Sequence, residues 1–164
     1  MERETRVGMG YDAHKFASVE AGRRLMLAGL DIAHERGLAG HSDADVALHA
    51  LVDALLGAAA LGDIGAYFPS SDDRWRGAAS STFVTATMEG LARDGWRVVN
   101  VDITIVAERP RLSPHVAAMR ASIAGMLDVS LDRVSVKSKT TDAMGFTGRG
   151  EGIACYAVAL IERG

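Results

Sequence analysis

The chain is poor in cysteine and carries no large excess of charge of either sign. With Cys155 as its single cysteine, this chain of 164 residues cannot form an internal disulfide, which is compatible with a reducing compartment. The formal net charge of −3 gives no reason to expect nucleic acid or an anionic membrane as a partner. The apolar run at 46–61 is too short to span a bilayer, and residues 1–5 lack the apolar core of a secretory signal. We therefore expect a cytoplasmic protein.

Sequence motifs for covalent catalysis are missing as well. No Gly-x-Ser-x-Gly sequence is present to expose a serine nucleophile. Cys155 lies in an apolar run without a plausible base nearby, which favours a buried small residue over a reactive thiol. The glycine-rich stretch at 145–152 resembles a phosphate loop, but no Gly-Lys-Ser/Thr follows it, and a simple turn explains the glycines equally well.

The pattern of apolar residues predicts strands that alternate with helices in a single domain, residues 1–164. The strands are predicted at 6–16, 99–105, 134–141 and 152–161, with a small hairpin at 25–28 and 30–33. The helices are predicted at 42–61, 81–94 and 113–127, and residues 68–80 are predicted to form a loop. This order favours an α+β fold with one mixed four-stranded sheet and helices on one face. The other face of the sheet would need a cover, which an oligomer could provide.

The helix predicted at 42–61 carries capping signals at both ends. Ser42 is predicted as its N-cap, and Gly62 follows its last residue. Asp43 is interpreted as a solvated charge of the first turn. Asp45 either completes a capping box with Ser42 or belongs to a metal site.

Three residues from two predicted elements could bind a metal ion. Asp12 and His14 are two positions apart on a strand, so their side chains point to the same side. His49 lies in the apolar helix, where a lone histidine is usually a hydrogen-bonded core residue, but its pairing with Asp12 and His14 favours a ligand. One carboxylate and two imidazoles suit zinc and leave a fourth position open for a substrate oxygen.

Two carboxylates lie one helical turn before and after His49. Asp45 and Asp53 share one stripe of the predicted helix with this histidine. In many metal sites an outer carboxylate holds the second ring nitrogen of a ligating histidine. The spacing therefore predicts that one of these two aspartates orients His49.

Further polar residues at the ends of elements could hold phosphates or sugar hydroxyls. His41 and Ser42 lie at the start of the predicted helix, where free N–H groups favour an anion, although they could equally be a surface residue and a plain cap. Residues 137–142 combine two lysines with two threonines and a serine at the end of a strand. Asp63 could accept hydrogen bonds from a sugar or simply end the helix. With the metal ligands, these groups indicate metal-assisted chemistry on phosphates.

Five stretches of the chain resemble, in the same order, the 2-C-methyl-D-erythritol 2,4-cyclodiphosphate synthase family of the non-mevalonate isoprenoid pathway. They are 10–14 (GYDAH), 41–51 (HSDADVALHAL), 53–58 (DALLGA), 62–65 (GDIG) and 145–152 (GFTGRGEG). Together they extend over nearly the whole chain, and the stretches at 41–51 and 145–152 are highly specific.

The resemblance implies both an assembly and a reaction. The assembly is a homotrimer of α+β subunits whose sheets face a three-fold axis, with active sites between neighbours and one Zn²⁺ per subunit. In the reaction, the 2-phosphate of 4-diphosphocytidyl-2-C-methyl-D-erythritol 2-phosphate attacks the β-phosphorus and releases CMP. A second divalent cation, Mg²⁺ or Mn²⁺, takes part, and some relatives accommodate an isoprenoid diphosphate in the central cavity.

The resemblance also implies roles for individual residues. The zinc ligands would be Asp12, His14 and His49. His41 and Thr140 match the catalytic positions that stabilise the transition state, and Ser42 would help to hold the 2-phosphate. The other positions carried over as substrate-binding are Asp12, His14, Asp63, Ile64, Gly65, Ala107, Glu108, Arg109, Pro110, Arg111, Leu112, Ser113, Lys139, Thr141, Asp142, Phe146 and Arg149.

Within this set, residues 107–113 match the cytosine pocket and residues 139–142 match the loop over the diphosphate. Phe146 and Arg149 match positions that line the central cavity. Two positions depart from the family pattern. Asp142 stands where a glutamate often binds the second cation, and Ser70 replaces an acidic residue found in some relatives.

Two other functions fit the same residues. A zinc phosphohydrolase would admit water to the same phosphorus and release a linear phosphate. A trimeric protein that binds isoprenoid diphosphates would carry zinc only as a structural ion. The open three-ligand site argues against the second function, because structural zinc usually has four protein ligands.

Overall fold

A computed structural model describes residues 3–164 of the chain as a four-stranded sheet with helices packed on it. The strands are β1 (Glu4–Lys15), β2 (Leu25–Leu27), β3 (Leu30–Ile32), β4 (Arg97–Val106), β5 (Val134–Lys139) and β6 (Gly152–Arg163). The helices are α1 (Val46–Ala58), α2 (Ile64–Tyr67), α3 (Ser81–Arg93), α4 (Val116–Leu127) and α5 (Gly145–Gly148). Met1 and Glu2, part of the segment predicted to lack a secretory signal, lie outside the described residues.

The sheet is mixed, as the sequence predicted. Its strand order is β1-β6-β4-β5, in which β4 and β5 run parallel and the other neighbours run antiparallel. Strands β2 and β3 form the predicted hairpin apart from this sheet. The two edges of the sheet are therefore β1, which carries Asp12 and His14, and β5, which ends at Lys139.

Helix α1 lies unusually close to strand β1, because two glycines of the strand face it. A methyl group on Gly10 would lie 1.9 Å from the carbonyl oxygen of Ala50, and one on Gly8 would lie 2.1 Å from that of Ala54. Any side chain at either glycine would push the helix off the strand. The close contact places His49, the neighbour of Ala50, beside the strand residues Asp12 and His14.

The opposite face of the sheet leaves a group of large apolar side chains exposed. On β1 and β6, Val7 and Met9 are 65% and 63% exposed, and Tyr11 packs on Tyr156 with 4.9 Å between the ring centroids. Val158 extends the same patch. A contiguous exposed apolar patch on a folded chain is typical of a surface that contacts another protein.

Helix α1 is shorter than predicted and begins at Val46 instead of Ser42. Asp45 is its N-cap, and the carboxylate of Asp45 accepts a hydrogen bond from the N–H of Leu48. Ala44 adopts a left-handed conformation, with φ of 59°, so the helix cannot extend towards Ser42. At the other end α1 stops at Ala58, and Ala60 and Gly62 have positive φ angles.

The remaining elements agree with the predicted order and differ in detail. A 3₁₀ turn at Ser113–His115 leads into α4, and another at Asp73–Trp75 lies within the predicted loop at 68–80. The glycine-rich stretch contains the short helix α5. Among the described residues, no helix is both long and apolar enough to cross a membrane.

Candidate active site

Asp12, His14 and His49 meet in one place, as the sequence predicted. The first two lie on the face of β1 that is covered by α1, and the third comes from α1 itself. The Nε2 atom of His14 lies 2.9 Å from Asp12 Oδ2 and 3.1 Å from His49 Nδ1. His49 Nδ1 lies 3.1 Å from the same carboxylate oxygen of Asp12. The three atoms form a nearly equilateral triangle at one end of the strand.

A backbone carbonyl fixes the ring of His14. Its Nδ1–H donates to the carbonyl oxygen of Ala39 over 2.9 Å, which turns Nε2 towards the other two side chains. Gly40 leaves the space for this ring, since a methyl group there would lie 3.3 Å from Cε1 of His14. The segment that follows the hairpin therefore determines which nitrogen of His14 faces the triangle.

Ser80, which directly precedes α3, and Asp43, which lies shortly before α1, fix the ring of His49. Ser80 Oγ donates to the carboxylate of Asp43 over 2.5 Å, so it accepts the Nε2–H of His49, 2.8 Å away. The N–H of Ser80 also donates to Asp43. Ser80 is fully buried and His49 is only 8% exposed. This chain of hydrogen bonds leaves Nδ1 of His49 facing Asp12 and His14.

The prediction that Asp45 or Asp53 orients His49 is wrong. The buried carboxylate of Asp45 accepts hydrogen bonds from the N–H groups of Ala28 and Gly29 as well as Leu48, and burial raises its pKa. Asp53 accepts from the N–H of Ile64. The interpretation of Asp43 as a solvated charge is wrong too, because this half-buried carboxylate holds Ser80. Helical spacing alone identified the neighbours of His49 in sequence but not its partners in space.

The donor set fits a divalent cation such as zinc. If both histidines were neutral, each would direct a nitrogen lone pair at the carboxylate of Asp12. Three hydrogen-bond acceptors would then meet without a donor. Zinc bonds of about 2.0–2.1 Å give ligand separations of about 3.3 Å in a tetrahedron, close to the triangle observed. Burial disfavours the charged forms of Asp12 and His14. The charge of each residue nevertheless stabilises that of the other, so the pKa of Asp12 is lowered and the pKa of His14 is raised. The site thus favours positive charge at its centre.

The triangle opens into a cavity of about 240 Å³. One wall is aromatic: Phe68 and Phe83 stack with 4.6 Å between centroids, and Trp75 packs edge-on against both. No sequence pattern predicts these aromatics at the site, because Phe68 and Trp75 fall in the predicted loop. The residues that line the cavity are Asp12, His14, His41, Ser42, His49, Ile64, Gly65, Phe68, Ser70, Trp75 and Phe83.

Several predicted substrate residues line this cavity. The Nε2–H of His41 donates to the carbonyl oxygen of Asp72, which joins His41 to the loop before α3. Ser42 is buried, and its Oγ lies 3.2 Å from His49 Nε2. Because α1 begins four residues later and is capped by Asp45, Ser42 is not its N-cap, and the anion site predicted for His41 and Ser42 stays a prediction. Asp63 caps α2, while Ser70 borders the cavity.

Most of the other predicted substrate residues surround a second cavity of about 550 Å³. It lies where β4 and β5 end, and it is lined by Ala107, Glu108, Arg109, Pro110, Arg111, Leu112, Ser113, Ser138, Lys139 and Thr140. The loop after β5 is supported by Glu108, whose carboxylate accepts from the N–H groups of Thr141 and Ala143 at 3.4 and 3.2 Å. Asp142 is exposed, with φ of 51°, and does not line either cavity.

Phe146 and Arg149 lie apart from both cavities. Phe146 is 40% exposed on α5, and Arg149 makes an ion pair of 3.0 Å with Glu151. Arg149 borders a third pocket, which Phe16 and His34 also line. Their assignment to a central cavity remains a prediction, as do the individual roles of the substrate residues.

The two cavities share no residue and lie at opposite edges of the sheet. The metal ligands Asp12 and His14 belong to β1, whereas Lys139 and Thr140 follow β5. Three spacings between neighbouring strands separate these edges, about 14 Å in a flat sheet.

Known proteins are similar to this chain over nearly its whole length. The model of the YgbB family matches residues 5–162. A relative from Thiobacillus denitrificans (strain ATCC 25259 / T1), named 2-C-methyl-D-erythritol 2,4-cyclodiphosphate synthase, is 54% identical over 162 residues, 99% of each chain. The bifunctional IspDF from Campylobacter jejuni superposes with a TM-score of 0.93 at 37% identity, covering 99% of this chain and 43% of that one. A CDP complex of IspF from Plasmodium falciparum gives 0.85 at 29% identity, covering 99% of both chains.

Proposed function

Because this chain belongs to the YgbB family, we propose that it cyclises 4-diphosphocytidyl-2-C-methyl-D-erythritol 2-phosphate in isoprenoid precursor biosynthesis. An oxygen of the 2-phosphate attacks the β-phosphorus and forms the new P–O bond. The bond from that phosphorus to the bridging oxygen breaks, and its electrons leave with CMP. The enzyme is thus a phosphorus–oxygen lyase, and 2-C-methyl-D-erythritol 2,4-cyclodiphosphate is the product. We further propose that it acts in the cytoplasm.

The observation that carries this proposal is the triangle of Asp12, His14 and His49 at the base of an open cavity. These residues would hold the Zn²⁺, with Nε2 of His14 and Nδ1 of His49 as the ligating nitrogens. Bound there, the ion would polarise and orient the diphosphate. A second cation, Mg²⁺ or Mn²⁺, would offset charge on the diphosphate near Asp142, whose carboxylate is exposed in this chain.

The protein need not supply a base, because nucleophile and electrophile belong to one substrate. Holding the two phosphates in near-attack geometry can remove roughly 7–11 kcal/mol of barrier. His41, which lines the cavity beside the triangle, would stabilise the developing charge, and Ser42 would help to hold the 2-phosphate. Thr140 would act in the same way from the other side, and the aromatic wall would exclude water from the carbon skeleton.

The second cavity would bind the cytidine diphosphate. Residues 107–113 would surround the cytosine, and Lys139, Thr140 and Thr141 would hold the diphosphate. The CDP complex of the Plasmodium falciparum relative supports a ligand of this class. Ile64 and Gly65, which line the first cavity, and the adjacent Asp63 would contact the ribose and the substrate.

We propose that each active site is completed by a neighbouring subunit in a homotrimer. One substrate must reach both the metal and the cytosine pocket, yet these lie at opposite edges of the sheet in one chain. The exposed patch of Val7, Met9 and Tyr11 would pack around the three-fold axis. In that trimer, β1 of one subunit would lie beside β5 of the next. Phe146 and Arg149 would then face a central cavity able to take an isoprenoid diphosphate.

Product analysis tests the proposed reaction. The chain is incubated with the cytidyl substrate, Zn²⁺ and Mg²⁺, and phosphorus NMR follows the products. CMP together with a cyclic diphosphate is the expected result. CMP with a linear phosphate would instead identify a zinc phosphohydrolase, and unchanged substrate would exclude both reactions.

A further inference from the structure

Residues 38–42 form a short segment that contacts several parts of the metal site. The carbonyl oxygen of Ala39 accepts the Nδ1–H of His14, and the Oγ atom of Ser42 lies against Nε2 of His49. Between them, His41 lines the cavity. A shift of this segment would therefore turn one metal ligand and move His41 in the cavity wall.

The side chain of Arg23 binds both ends of this segment. Its Nε–H donates to the carbonyl oxygen of Leu38 and its Nη2–H to that of Ser42, each over 2.6 Å. Arg23 is half-buried and does not line the metal cavity. Its guanidinium thus makes hydrogen bonds to the site only through the backbone of 38–42, while its charge also acts on His14 through space.

The chemistry of this contact requires an arginine. A guanidinium presents several N–H groups in a rigid plane, so one side chain can span two carbonyls four residues apart. A lysine ammonium is a single point on a flexible stem and would hold one of the two carbonyls at a time. The next residue, Arg24, has the same charge but is largely exposed, and its closest partner is Asp31 at 3.5 Å.

We propose that Arg23 is a positioning residue of the metal site, which holds residues 38–42 so that His14 and His41 keep their orientation towards the metal and the phosphates. The part that concerns His41 rests on the proposed function. The part that concerns His14 depends only on the metal site. A purely structural arginine would stabilise the fold without altering either.

The test compares Arg23→Gln, Arg23→Lys and the matched control Arg24→Gln in the full-length protein. Zn²⁺ affinity is measured by competition with a chromophoric chelator, and the visible absorption of the Co²⁺-loaded protein reports the ligand geometry. Loss of a direct outer partner of a metal ligand typically weakens metal binding by about 10- to 100-fold. Arg23 acts one step further out, through the segment that carries Ala39, so we expect Arg23→Gln to weaken Zn²⁺ binding by about 10-fold, the lower end of that range. Arg23→Lys should fall between this variant and the control, and Arg24→Gln should bind Zn²⁺ like the unaltered chain.

Turnover at saturating Zn²⁺ separates the two parts of the proposal. In Arg23→Gln, kcat should fall more than KM changes, since His41 acts on the developing charge.

The proposal would be overturned if Arg23→Gln had the same Zn²⁺ affinity and the same Co²⁺ spectrum as Arg24→Gln. If Arg23→Gln does not fold, Arg23→Lys tests the proposal instead. A lower melting temperature with unaltered metal affinity in Arg23→Lys would show that Arg23 only stabilises the fold. If the unaltered chain released no CMP, the proposed reaction would be refuted. The metal measurements would still test whether Arg23 positions the metal site.

Discussion

The two cavities differ in how firmly their side chains are held. Around the metal triangle, hydrogen bonds fix each ring: Ala39 holds His14, and Ser80 with Asp43 holds His49. Around the larger cavity, Lys139 and Thr140 are exposed and the loop that follows them contains two non-glycine residues with positive φ. Both cavities open to the surface, but the larger one is a groove whose lysine and threonine are not held in this way.

This difference indicates which part of the reaction each cavity serves. A metal site must be rigid, because small displacements of its ligands reduce affinity and change geometry. A site for a flexible nucleoside diphosphate can be ordered by the ligand itself or by a neighbouring subunit. The comparison therefore predicts that substitutions near the metal act through geometry, and that substitutions in the groove act through binding.

Removing a ligand of the rigid cavity should have the largest effect. In His49→Ala, we expect turnover to fall below detection and bound zinc to drop, with the fold retained, because two ligands are too few for a stable zinc site. Metal analysis, circular dichroism and CMP release measure these properties. His115→Ala, a histidine outside both cavities, is the control. Full zinc occupancy and normal activity in His49→Ala would show that this histidine is only a core residue.

Mixing two inactive chains should show that the two cavities cooperate across subunits. His49→Ala lacks the metal half and Thr140→Ala lacks the other half of the site. When they are unfolded together and reassembled at equal ratio, about a quarter of all sites in a cyclic trimer should contain two intact halves. Recovered CMP release is measured on trimers whose mixed composition is established by mass.

Sites contained within one chain would recover nothing in this experiment. Mixed trimers as inactive as their parents would therefore contradict the shared site and leave the rest of the proposed reaction standing.

Loss of the hydroxyl that holds His49 should have an intermediate effect. In Ser80→Ala the Nε2–H of His49 loses its nearer acceptor, which leaves Ser42 Oγ at 3.2 Å, and the Asp43 carboxylate loses its hydroxyl donor. We expect Zn²⁺ affinity to fall by roughly 10- to 100-fold, as for other outer partners of metal ligands. Ser81→Ala, one residue further along, is the matched control. Equal Zn²⁺ affinities in the two variants would exclude a role for Ser80 in orienting the ring.

The smallest effect is expected in the open groove. Asp142→Asn removes a charge but preserves the backbone, since asparagine tolerates the left-handed conformation of this residue. If Asp142 binds the second cation, the Mg²⁺ or Mn²⁺ concentration for half-maximal rate should rise several-fold while zinc content stays constant. An unchanged requirement for the cation would show that this carboxylate is too short to reach it.

The metal ligands could be predicted from the sequence because their placement depends on local periodicity. The two-residue repeat of a strand puts Asp12 and His14 on one face, and the apolar pattern around His49 places it on a buried helix. The start of that helix was predicted incorrectly for an equally physical reason. Ser42 and Asp45 are both good N-caps, and Asp45 is the actual cap, with further hydrogen bonds from Ala28 and Gly29 of the hairpin.

The partners of the ligands could not be predicted from the sequence, because they are contacts between distant segments. Ser80 lies 37 residues from Asp43, and Arg23 lies 19 residues from Ser42. No periodic pattern connects such pairs, and serines and arginines at the ends of elements are common on any surface. The aromatic wall of Phe68, Trp75 and Phe83 likewise depends on how the loop before α3 folds back.

The close contact between Gly10 and Ala50 has a consequence for the geometry of the triangle. The distance between strand and helix determines how far His49 stands from Asp12 and His14. A methyl group at Gly10 would need to move from 1.9 Å to at least 3.4 Å from the Ala50 oxygen to reach ordinary contact. The helix would recede, and the triangle would widen beyond the separations that three ligands of one tetrahedral ion allow. A residue without a side chain thus acts as a spacer that keeps the three ligands within reach of a single ion.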